Sequence, residues 1–216
     1  VEPLKITLGL SYLATTGNSD TSTGGVDAKI TWVTAPWTVE GIASYLRADQ
    51  NGNLTAERTA AGVRGSRAVG ARWDLFTGVS GVMDEFAGID LRAIAEAGLT
   101  YRYLEGPVHS LAFDVGGTWT RDDPVAGATD SFPGGLAAAR YAWKISDTAE
   151  LSERLAFYPS FEDSDDWRID SDLAVQAALT AGAALKVSYS VRRDNIPVAS
   201  YKKTDTATSV SLVFKF

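Results

Sequence analysis

The chain has no cysteine and a single histidine, His109. The first absence removes disulfide scaffolds, thiolate metal sites and cysteine nucleophiles together, and it fits an exported protein that avoids stray oxidation. No apolar run approaches the roughly 20 residues that a membrane helix needs. Long uncharged stretches such as Leu173 to Leu185, rich in small residues, fall short of it, so a helical membrane protein is excluded. A basic surplus is missing too. The formal charge is −7 and the pI near 4.8, which argues against nucleic acid as a partner, because phosphate binding needs a basic patch. Val1 is not followed by a basic and then apolar signal segment, so the sequence reads as a mature or recombinant product.

What is present is glycine, 20 residues, and aromatic residues at 10%, with a mean hydropathy of −0.06. Apolar side chains are therefore dispersed, and they recur with period two, as in strands with two chemically different faces. Leu4, Ile6, Leu8, Leu10 and Tyr12 alternate with Lys5, Thr7, Gly9 and Ser11. The same pattern appears in Val26 to Trp32, Trp73 to Met83, Leu91 to Tyr101, Leu111 to Trp119, Ile169 to Leu179, Leu185 to Val191 and Val210 to Phe216. Helix is hardest to exclude on this pattern at Gly135 to Lys144 and Leu173 to Leu185, where alanine is frequent.

The connections alternate in character. Short turns are expected near residues 34–36, 69–71, 104–108, 145–148 and 180–183, and longer polar loops near 17–23, 49–53, 84–89, 121–131, 158–166 and 193–205. Such alternation is what an up-and-down barrel gives, with tight periplasmic turns at one rim and variable extracellular loops at the other. It implies about twelve antiparallel strands, an even number that puts both termini on the periplasmic side. Residues 1–216 read as one barrel domain, with no internal linker.

A soluble sandwich would turn its apolar face inward and its charges to water; a membrane barrel inverts this. Ionisable residues occupy the polar face of most strands, and aromatics gather at strand ends. Trp32, Trp37, Trp73, Tyr101, Tyr103, Tyr141 and Trp143 lie near the short turns; Tyr12, Tyr45, Trp119, Phe157, Trp167 and Tyr189 lie near the long loops. Two such girdles suit the two interfaces of a bilayer. The chain ends in an alternating strand with an aromatic, Phe216, which resembles the signal read by the outer-membrane barrel assembly machinery. The expectation is an all-β, transmembrane, antiparallel up-and-down barrel in the bacterial outer membrane, in contact with its lipid and lipopolysaccharide.

Two stretches add a family resemblance. Gly17-Asn18-Ser19-Asp20-Thr21, and Asp84-Glu85-Phe86-Ala87-Gly88-Ile89-Asp90-Leu91-Arg92, resemble the YdiY-like salt-induced outer-membrane proteins, a domain-of-unknown-function family. The resemblance implies an outer-membrane barrel whose expression responds, in some members, to salt or acid stress. It brings no catalytic residues.

Charges on the inward face are the most informative feature. Arg64, Arg92, Glu96, Arg102, Asp114, Arg140 and Asp170 are the expected lumen-lining residues. A barrel of about twelve strands is roughly 20 to 25 Å across its backbone, so such side chains can meet. One reading is a narrow, charge-lined pore for ions or small polar solutes. The other is a closed network of ion pairs that specifies register, with extracellular loops binding lipopolysaccharide, phage or a partner protein. The acidic loop Glu162, Asp163, Asp165 and Asp166, and Asp122, Asp123 and Asp130 in another loop, lack a calcium-loop spacing. They read as solvated loops that would bias a pore toward cations.

Catalysis has little support. Some twelve-stranded barrels are phospholipases with a Ser/His pair, but His109 follows the short turn of Gly106 and Pro107 and has no serine signature around it. The glycine pairs Gly116-Gly117 and Gly134-Gly135 resemble no phosphate loop. No catalytic, metal or cofactor residue is assigned. The loop 193–205, with Tyr201, Lys202 and Lys203, is the expected surface contact.

Overall fold

The structure, a computed structural model, describes residues 3–15 and 21–216. Loop residues 17–20, which carry most of the first family-like stretch, lie outside them. Twelve antiparallel strands close into one barrel. They are β1 (Leu4–Thr15), β2 (Thr21–Thr34), β3 (Trp37–Gln50), β4 (Asn53–Ala68), β5 (Trp73–Asp84) and β6 (Ile89–Glu105). The second half comprises β7 (His109–Pro124), β8 (Asp130–Lys144), β9 (Ala149–Pro159), β10 (Trp167–Ala178), β11 (Ala183–Asp194) and β12 (Thr204–Lys215). The barrel closes where β1 meets β12, with Leu8 opposite Phe214 and Ser11 opposite Ser211. Closure matters because an open edge would leave backbone groups unpaired in hydrocarbon. The alanine-rich stretches form β8, β10 and β11; the one helix among the described residues is a 3-10 turn, Glu85–Ala87.

Every connection on the short-turn rim is tight, but the opposite rim is less regular than strict alternation predicts. The connection near 49–53 is no long loop: β3 and β4 run on to a two-residue turn, Asn51-Gly52, with φ of 51° and 77°. Asn-Gly is the pair that adopts the two left-handed conformations of a type I′ hairpin, whose twist matches that of the strands. The hairpin therefore runs past the end of β5, whose pairing with β4 stops at Thr59 opposite Met83, while β2 stays paired with β3 up to Thr21 opposite Gln50.

Side-chain alternation puts two environments on the two faces. Outside are Leu10, Tyr12, Trp37, Val79, Val115, Trp119 and Val210, all exposed. Trp73 and Tyr101 pack against each other at 4.7 Å in the turn-side girdle, and Phe157 and Trp167 at 6.2 Å in the loop-side one. Charged residues on the outer face sit at or beyond the girdles. Arg67 covers Trp37 and Arg193 covers Trp167; Tyr45 donates to Glu57 at 2.6 Å, and Arg47 pairs with Asp49 at 3.1 Å.

Glu153 is the exception among the described residues. It stands opposite Tyr141 on one side and Leu173 on the other, between the girdles on the outer face, and accepts a 2.8 Å hydrogen bond from Ser171. A carboxylate facing lipid is disfavoured, less than a lysine would be but still measurably. Glu153→Leu is expected to raise the unfolding free energy in lipid vesicles by about 1 kcal/mol, read from the urea midpoint at an unchanged slope. A lower midpoint would show that the carboxylate has a stabilising partner in the membrane.

Candidate functional site: the barrel lumen

The inner face carries the ionisable side chains, and at mid-height they form one network. β7 presents Asp114, whose side chain is 2% exposed. Its Oδ1 accepts from Thr100 at 2.6 Å and from Arg140 Nη2 at 3.0 Å, and Oδ2 lies 3.1 Å from Arg64 Nη1. Arg64, on β4, also donates to Thr100 Oγ1 at 3.0 Å and reaches Glu96 at 3.5 Å. Two guanidinium groups and two carboxylates thus balance, as they must beside a low-dielectric wall.

Apolar side chains complete this level. The Arg64 guanidinium carbon lies 3.7 Å from the centre of the Phe76 ring, a cation–π contact. Phe76 packs with Leu136, Ala138 and Ala156, and Tyr158 covers them. Room for the ring comes from Gly98, where a Cβ would lie 2.9 Å from Phe76 Cζ and 2.7 Å from Gly116 Cα. The paired glycines Gly98 and Gly116 therefore permit a sharp bend in the wall and the seating of Phe76 against it.

This plug fills one side of the lumen only. Lys29 and Ile42 are opposite one another on β2 and β3. Lys29 faces inward, because its Nζ lies 2.7 Å from Glu40, and Ile42 shares the inward parity of Glu40. Yet the Lys29 side chain is 52% exposed and Ile42 is 55% exposed. No described residue packs over them, so a gap lies along the β2–β3 wall beside the plug of Phe76 and Leu136.

Above the plug lies a cavity of about 490 Å³, lined by Arg58, Arg92, Tyr158, Arg168, Arg192 and Asp194 among others. Arg92 pairs with Asp122 and, at 3.1 Å, with Asp194. Arg192 reaches Asp172 at 2.6 Å and Asp170 at 3.7 Å. Arg168, 8% exposed, has no carboxylate within ion-pair distance among the described residues; it donates to Thr120 at 3.2 Å. Arg154 likewise donates to a neutral group, the Tyr158 hydroxyl, at 3.0 Å. In the loop above, burial pushes the Asp166 carboxyl up from its ordinary value.

The seven residues expected to line the lumen thus fall into separate places. Arg64, Glu96, Asp114 and Arg140 meet in the mid-lumen network. Arg102 sits at the turn rim, 3.3 Å from Asp74 and 3.0 Å from Glu105; Arg92 and Asp170 stand in the upper half with different partners. Sequence reasoning missed Phe76 and Leu136, although alternation carried the signal: Phe76 lies between Asp74 and Gly78, Leu136 between Gly134 and Ala138. Ile42 was missed because an apolar residue on the polar face breaks the pattern.

The remaining candidates are ordinary. His109 Nδ1 lies 2.8 Å from the Tyr141 hydroxyl, and its ring stacks with Trp143 at 5.9 Å, as part of the turn-side girdle. In the acidic loop, the Asp163 carboxylate accepts from the Asp165 backbone at 2.9 Å and the Ser160 hydroxyl from Glu162 N at 3.2 Å. Its polar groups thus hold the loop itself. In the 193–205 loop, Lys203 reaches Asn195 at 3.4 Å.

A closed twelve-stranded barrel, apolar outside and ionised inside, is the architecture of outer-membrane porins and translocators. The chain belongs to the DUF481 family, described as proteins of unknown function, whose model matches residues 7–216. It is 31% identical over 215 residues to the uncharacterised protein YdiY of Escherichia coli strain K12, covering 98% of this chain and 82% of that protein. Among solved structures it resembles the NanC porin, with a TM-score of 0.57 at 11% identity, over 99% of this chain and all of that one. It also resembles the translocator domain of the autotransporter NalP from Neisseria meningitidis, with a TM-score of 0.54 at 12% identity, over 100% and 89% of the two chains. These likenesses establish the fold.

Proposed function

We propose that this protein is a narrow passive pore of the bacterial outer membrane for ions and small polar solutes. The observation that carries the reading is the exposure of Lys29 and Ile42. Both face inward beside the plug and neither is covered by a described residue, so a path remains. Passage needs no energy source: the inner wall replaces lost hydration with balanced charges, and gradients drive the flux. The NanC likeness supports the reading by showing that the same architecture serves a porin.

In this arrangement the short-turn rim and both termini face the periplasm, and the long loops face outward. The outer cluster of Tyr45, Arg47, Asp49 and Glu57, just beyond the loop-side girdle, then meets lipopolysaccharide headgroups. The reading gives the protein no reaction to catalyse. The plug of Phe76 and Leu136 favours a second reading, in which the lumen is closed and the loops bind a partner.

Single-channel recording decides between them. Refolded protein in a planar bilayer is expected to give small, steady openings at neutral pH, and Ile42→Trp, which inserts bulk into the open side, is expected to reduce them. Barrels shown to be inserted but electrically silent would defeat the pore reading.

A further inference from the structure

The inner wall is not uniform along the barrel axis. On four neighbouring strands, β11, β12, β1 and β2, inward positions toward the turn rim hold lysines: Lys186, Lys215, Lys5 and Lys29. Register brings them together. Lys215 and Lys29 flank Thr7 in one row, and Lys5 occupies the next inward position below Thr7. Lys186 stands opposite Ser211, four residues from Lys215 on the same face. Among the described residues only Lys29 has a carboxylate within ion-pair distance, Glu40 at 2.7 Å. Above the cavity that Arg58, Arg92, Arg168 and Arg192 line, the loop mouth is acidic on balance, with Glu162, Asp163, Asp165 and Asp166 in one loop and Asp194 and Asp205 at strand ends against Lys202 and Lys203.

We infer that the pore, given the reading above, is bipolar: it holds anions in its lysine-lined turn half, holds cations at its acidic loop mouth, and rectifies. Wall charge governs the ion population because the lumen is narrow. With a backbone diameter of roughly 20 to 25 Å, less side chains, every point on the axis lies within about one Debye length of the wall, ~8 Å at physiological ionic strength. Fixed charge of one sign then concentrates the opposite mobile ion. When the loop side is positive, cations enter through the acidic mouth while anions enter through the lysine end. They accumulate where the halves meet, and current flows readily. When the loop side is negative, both ions are drawn outward, the middle is depleted, and current falls. This revises the simple cation bias expected from the acidic loops, because selectivity depends on which half limits the flux.

The test is the current–voltage curve of the refolded full chain in symmetric potassium chloride at about 0.1 M. Orientation is fixed with Ala128→Cys in the β7–β8 loop. The chain has no other cysteine, so the chamber from which a bulky, membrane-impermeant thiol reagent changes the current marks the loop side. The expected result is severalfold larger current with the loop side positive. The ratio should fall to unity in Lys5→Gln/Lys186→Gln/Lys215→Gln, persist in the corresponding Lys→Arg triple variant, and shrink at high salt as screening shortens. A linear curve, rectification of the opposite sign, or rectification unchanged by the glutamine variant would overturn the bipolar inference while leaving the pore standing. Silence from verified inserted barrels would instead remove the pore reading, and this inference with it.

Discussion

Asp114→Asn is expected to destabilise the barrel by about 3 kcal/mol. The carboxylate is nearly inaccessible and receives Thr100, Arg140 and Arg64. Replacing it with a neutral amide leaves two guanidinium groups facing each other with Glu96 as the remaining nearby anion of the network. Breaking a buried pair from one side costs more than the pair contributes, because the stranded partner stays desolvated. The figure is at the lower end of that range because the Arg140 side chain is 38% exposed and partly hydrated. Urea titration in lipid vesicles, followed through the six tryptophans, measures it. Asp114→Asn/Arg140→Gln should recover part of the loss, since it removes an unpaired cation along with the anion. A single variant within 0.5 kcal/mol of the parent, the usual scatter for a surface change, would mean that water, not Asp114, neutralises the two arginines.

Phe76→Ala is expected to act on conduction and stability together. The ring is 2% exposed, seated against Gly98 and covered by Arg64, so truncation should cost about 3 kcal/mol, as for other buried phenylalanines. It also removes the bulkiest member of the plug and the surface on which Arg64 rests. Unitary conductance should rise, because the space joins an aqueous lumen and does not become a dry cavity. Gly98→Phe is not a usable converse, since a side chain there collides with the neighbouring strand before reaching the lumen. A Phe76→Ala barrel with parental conductance would place the ion path wholly along the β2–β3 wall and make the plug a purely structural element.

The two predictions rest on residues that differed in how readable they were. Asp114 is legible in its strand: it alternates with Phe113 and Val115 and belongs to the polar set. Its partners are not, because Arg64 is fifty residues away in sequence and reaches Asp114 only after β4 to β7 curve together. Phe76 obeys the alternation for the inner face, but its chemistry belongs to the outer one, so composition hid what position revealed. The Asn51-Gly52 hairpin shows the opposite case. There the local dipeptide was informative, and loop-length alternation misled.

By itself the sequence determined the class of the protein. A period of two in eight segments, connections whose alternation implies about twelve strands, aromatics at both ends of the strands and the lack of any long apolar run leave a barrel that presents one face to lipid and the other to water, since each strand must satisfy two solvents at once. Tertiary structure decided the rest: the register that gathers Arg64, Glu96, Asp114 and Arg140, the glycine pair that seats Phe76, the uncovered wall at Lys29 and Ile42, and the run of lysines across β11, β12, β1 and β2. These depend on the stagger between strands distant in the chain. That stagger is set by closure of the whole barrel, which no single strand encodes.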